Sequence, residues 1–135
     1  MSITLTDQDK LTLQTAAYGA VSLMSAAAAA GGSPHKAATD GSIALSSATG
    51  LVGHVLAKPK GMKLNGKSVA GLADQVLPAL TAAVGLLEKQ DRAEAENFRS
   101  TVLVAIEATG QRHKGEPSPT MADMARKITA ALDAA

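Results

Sequence analysis

The sequence predicts an all-α protein: one compact bundle of about five helices, forming a single domain over residues 1–135. Three observations carry this expectation. Apolar residues recur at three- and four-residue spacing along most of the chain. Sustained two-residue alternation is absent and β-branched residues are sparse, so strands have no support. Residues that start and stop helices punctuate the apolar stretches.

Each helix has its own justification. Thr6-Asp7-Gln8-Asp9 is the acidic form of a capping box, with the Thr6 hydroxyl placed to accept from the Asp9 N–H. The first helix runs from there to about residue 30, where Gly31-Gly32 permits a left-handed ending. Leu13, Ala17, Ala20, Met24 and Ala27 form its stripe. Ser33-Pro34 starts the second helix, with Ser as cap and Pro in the first turn. Ala38, Leu45, Thr49, Val52 and Leu56 form its stripe, widened by Ile43, Leu51 and Val55. Asp40-Gly41 is a possible interruption, and Lys58-Pro59 ends the helix.

After a loop over residues 58–67, turned at Asn65-Gly66, Ser68 caps a third helix that reaches about residue 89. Leu72, Val76, Leu80, Val84 and Leu87 are its inner face, and Pro78 predicts a kink or a break near Leu77. Asp91 opens the fourth helix, with Glu94 as its capping-box partner. Ala95, Phe98, Val102, Ala105 and Thr109 face inward, and Gly110 ends it. Ser118-Pro119 starts the last helix, striped by Met121, Met124, Ala125, Ile128 and Leu132.

Composition excludes several functions. The chain has 135 residues, 28 of them Ala and 12 Gly, with one Phe, one Tyr, no Trp and no Cys. Without cysteine there is no disulfide, thiolate nucleophile or cysteine-built metal centre. Without aromatic platforms, and with a net charge of only +1, nucleic acid is not an expected partner. The one concentrated charge is Lys58, Lys60, Lys63 and Lys67, with no acid among them. Leu11 to Pro34 carries no charge, but it is interrupted by polar residues and rich in alanine, which drives insertion weakly. With Asp7 and Asp9 preceding this stretch, neither a spanning helix nor a signal peptide is expected. The expectation is a soluble cytoplasmic protein with no membrane partner.

The sharpest motif is Gly61-Met62-Lys63-Leu64-Asn65-Gly66-Lys67-Ser68, which matches G-x-x-x-x-G-K-[ST]. It resembles the Walker A phosphate loop of NTPases over these eight residues, and that resemblance implies a phosphate cradled by backbone N–H groups with Ser68 on magnesium. A true phosphate loop follows a strand, however, and the segment before Gly61 reads as helix. The plainer reading is a lysine-rich inter-helix loop, with Ser68 capping a helix. Between these lies an anion site made by Lys63, Lys67 and Ser68 without that fold. His35, His54 and His113 show no H-E-x-x-H or E-x-x-H spacing, so no metal site is expected. His54, at helical spacing from Ser47 and Gly50, reads as a partly buried structural histidine, with catalysis as the other possibility. No catalytic residue and no cofactor are assigned.

Ala17-Tyr18-Gly19-Ala20-Val21, residues 48–56 and residues 125–132 resemble segments of uncharacterised, alanine-rich, all-helical actinobacterial proteins, a resemblance that implies no activity. Ala37-Ala38-Thr39-Asp40-Gly41-Ser42-Ile43 resembles the TerB-like helical domain. Ser46 and Ser47 stand where that family's pattern places an acid, so no TerB-like metal site is expected.

The uncharged helices over residues 11–30 and 41–57 imply burial on several sides, in the bundle centre and in a homodimer. Tyr18, Leu23, Leu51 and Val55 are the expected interface residues. Three functions compete. One is a non-catalytic, self-associating protein that binds a small ligand or protein partner. Another is a phosphate- or nucleotide-binding protein or enzyme using Gly61–Ser68. The third is peripheral attachment to anionic membranes through the lysine loop, which lacks aromatic anchors.

Overall fold

The structure, a computed structural model, describes residues 5–28, 41–57, 68–110 and 119–135. These residues are all helix, turn or coil, with no strand among them, as the apolar spacing predicts. Among the described residues are six helical segments: α1 (Asp7–Ala28), α2 (41–46), α3 (Gly50–Leu56), α4 (Val69–Glu88), α5 (Arg92–Gly110) and α6 (Pro119–Asp133).

The extra segment arises because the second predicted helix is divided at residues 47–49. Gly50 adopts φ +72°, a left-handed conformation that glycine tolerates and other residues resist. The Ser46 and Ser47 hydroxyls donate back to the Ile43 carbonyl at 3.0 and 2.9 Å, taking up a carbonyl at the end of α2. Asn97 of α5 donates to the Thr49 carbonyl at 3.0 Å and holds the joint. Thr49, expected on the inner stripe, is therefore exposed.

Of the kink or break expected near Leu77, the break does not occur: α4 continues through Pro78. Proline removes the N–H that would bond the Asp74 carbonyl, but Pro78 is exposed and water can serve that oxygen. Packing against α1, α5 and α6 holds the rest of the helix.

The caps follow the sequence closely, with one change. Asp9 N–H donates to Thr6 Oγ1 at 3.0 Å and Thr6 N–H donates to Asp9 Oδ2 at 3.1 Å, closing the predicted box. Gly71 N–H donates to Ser68 Oγ at 3.0 Å. At α5, Asp91 Oδ1 accepts from Ala93 N–H at 2.9 Å, while the Asp91 N–H donates to the Leu87 carbonyl at 2.7 Å. Glu94 is thus not the box partner and lies beside Asn97, 3.4 Å away.

α1 is the centre of the bundle and packs on α3, α4, α5 and α6. Leu13, Ala16, Ala17, Ala20 and Leu23 have no exposed surface, and Val21, Met24 and Ala27 are nearly as buried. A helix enclosed on most sides has no place for charge, which explains its composition. Its tightest approach is to α4: a Cβ added at Gly19 would collide with both Val76 methyls. The inner stripes of α4 and α5 are buried as predicted, as are Met121, Met124, Ile128 and Leu132 of α6. Thr81 Oγ1 donates to the Ala131 carbonyl at 2.6 Å, and Arg99 pairs with Asp133, so α6 is tied to both α4 and α5.

Candidate functional site

The predicted interface residues do not form one surface. Leu23 is fully buried and Val55 is 4% exposed, so both side chains are consumed by the molecule's own core. Leu51 is half-buried. Tyr18 is also half-buried, and its hydroxyl donates to the Leu56 carbonyl at 2.5 Å. One turn earlier, Gln14 Nε2 donates to the Val55 carbonyl at 3.2 Å. These two carbonyls belong to the last turn of α3, where no further turn supplies N–H donors. Two polar side chains of α1 therefore cap the end of α3. Burial pushes the Tyr18 phenol above its ordinary value of 10.0, because desolvation disfavours the phenolate.

The candidate anion site is only partly described. Lys63 and Lys67 lie outside the described residues, as do the predicted glycine endings and turns at 31–34, 58–59 and 65–66. Ser68 stands at the N-cap of α4, with its Oγ already accepting from Gly71 N–H. The segment that leads toward the loop is α3, a helix. The strand on which a nucleotide-binding phosphate loop is built is therefore not in place before it.

His54, expected to be partly buried, is exposed on α3. Its helix buries Val52, Gly53, Val55 and Leu56 instead. Among the described residues, no group of three or more His, Asp or Glu side chains converges as metal ligands would. The acid–base pairs that exist lie on the surface. Asp123 accepts from Arg126 at 3.0 Å and lies 3.2 Å from Lys127 Nζ. The hydrogen bonds from Arg126 and then Lys127, with the Lys127 charge, hold its carboxyl below the usual range.

The feature that sequence reading missed is the outer side of α4. The charge-free stretch at residues 11–34 drew attention, yet α4 is the described helix that is long and apolar enough to cross a membrane. An 18-residue stretch of it has a mean hydropathy of 1.5 with 28% of its residues buried, and Ala73, Leu77, Ala79 and Leu86 are partly buried against the core. The inner stripe was legible, but Asp74, Pro78 and the alanines made the opposite side look like ordinary exposed helix. Val69, at 45% exposure, opens this helix; the other large exposed apolar residues among those described are Ile43 and Val104. Neither a family model, a curated protein nor a solved structure matches the chain.

Proposed function

We propose that the chain is a non-catalytic, self-associating helical protein of the cytoplasm that binds a small ligand or protein partner. The observation that supports this reading is α4, an apolar helix whose inner face completes the core while Val69, Ala70, Pro78 and Ala82 stay exposed among the described residues. Exposed apolar surface on a helix is stabilised by association, and a core in which Ala and Val together make up about half of the described buried apolar residues gains from added burial. Of the residues first expected to associate, Leu23 of α1 and Val55 of α3 are buried in the molecule's own core, and α1 is packed by α3, α4, α5 and α6. Self-association therefore belongs to the exterior helices.

Sedimentation velocity from about 10 μM to about 1 mM tests the reading. A weight-average mass that rises from 13.6 kDa toward twice that value supports it. A strict monomer throughout overturns it.

The competing reading is a phosphate or nucleotide site at Gly61–Ser68. Its support is that Ser68 begins a 20-residue helix with no acid in its first turn, a position that favours anions. Thermal stabilisation by pyrophosphate or by ATP with magnesium would favour it, and no shift at millimolar concentration would remove it.

A further inference from the structure

We infer that α3 is a hinged cover, pinned at Thr49 and latched at Leu56, which opens as a unit while α1, α4, α5 and α6 stay packed. Opening of this kind does not require self-association. α3 has seven residues, and isolated helices shorter than about 12–15 residues are marginal in water. It therefore depends on its contacts. It packs on α1 and α5 and, among the described residues, on neither α4 nor α6. The long helices do not depend on it in return: each of α1, α4, α5 and α6 touches the other three. With α3 lifted away, a complete four-helix core remains.

The two ends of α3 are held differently. At its start, Asn97 of α5 donates to the Thr49 carbonyl at 3.0 Å, and the Thr49 side chain makes no cap. Gly50 follows at φ +72°. A Cβ on Gly53 would collide with the Ala48 carbonyl, so the joint closes only without side chains at these two positions. At the far end, Tyr18 donates to the Leu56 carbonyl at 2.5 Å and Gln14 to the Val55 carbonyl at 3.2 Å. Both donors are neutral and stand one turn apart on α1, and such bonds have a modest net strength. A pin beside a glycine joint and a weak latch at the free end are the parts of a cover.

Beneath it lies an apolar groove. α3 buries Val52, Val55 and Leu56, and Tyr18 of α1 is half-buried against its end. Opening turns those three side chains outward and bares the groove between α1 and α5. Their burial keeps the cover shut most of the time, so the open form is a minor state.

The experiment is native-state hydrogen exchange, read residue by residue by NMR at rising urea below the unfolding transition. Circular dichroism melts establish that each variant folds. The Gly53, Val55, Leu56 and Ala57 amides are expected to share one opening, nearly independent of urea. It is expected at least about tenfold more often than that of the most protected α4 amides. Ile128→Val trims a fully buried side chain of α6, a helix that does not touch α3 among the described residues. It is expected to speed α4 exchange about fivefold and to leave α3 unchanged. Tyr18→Phe is expected to speed α3 exchange about fivefold. Gly50→Ala is expected to speed it about tenfold, because alanine resists the left-handed conformation. If α3 follows the same urea dependence as α4, and Ile128→Val speeds both, α3 opens only when the whole molecule unfolds and the cover is overturned. If α3 opens independently of urea but neither Tyr18→Phe nor Gly50→Ala changes its rate, the latch and the joint are overturned.

Discussion

At the scale of single residues, Tyr18 is the most informative. It is the only tyrosine in a chain without tryptophan, so its absorbance near 295 nm titrates as one group. The midpoint is expected above 10.0, because burial disfavours the phenolate. The sign for stability follows. A folded-state value above the unfolded one means that this contribution is present below about pH 10 and is lost as pH rises through the folded value. Tyr18→Phe removes the bond to the Leu56 carbonyl and is expected to cost about 1 kcal/mol in urea unfolding. An unchanged midpoint of denaturation would show that water serves the α3 carbonyl equally well. The role of Tyr18 was not legible in the sequence, since its bond spans 38 residues and joins helices whose relative placement no local pattern encodes.

At the scale of elements, the meeting of α1 and α4 depends on Gly19. Alanine favours a helix over glycine by about 1 kcal/mol. Against that, a Cβ at Gly19 collides with Val76, a β-branched side chain with little freedom to move. Overpacking of this kind costs about 1–3 kcal/mol, so Gly19→Ala is expected to lower stability. Adding Val76→Ala should return part of the loss, and a thermal-melt double-mutant cycle reads that coupling. The helices themselves were largely legible, because spacing and caps are local: Thr6, Ser68 and Asp91 all cap as their side-chain chemistry predicts. The division of the second helix was less so, because it depends on Asn97 reaching across from α5. The continuity of α4 through Pro78 depends likewise on which side of the helix faces water.

At the scale of the whole molecule, the core consists of many small contributions and a few large ones. Phe98 is the one phenylalanine and is fully buried. Phe98→Ala is expected to cost about 3–5 kcal/mol, a large share of the roughly 5–15 kcal/mol available to a domain. Urea denaturation should show a midpoint shifted steeply down; a loss below about 1 kcal/mol would mean that neighbouring side chains close the cavity. The central position of α1 also has a consequence for synthesis. At about 5–20 residues per second, α1 leaves the ribosome several seconds or more before α6. It waits longest for the helices that enclose it. A nascent α1 with leucine or phenylalanine in place of its six alanines would be a more adhesive surface during that interval; the alanines leave chaperones and neighbouring chains less to hold.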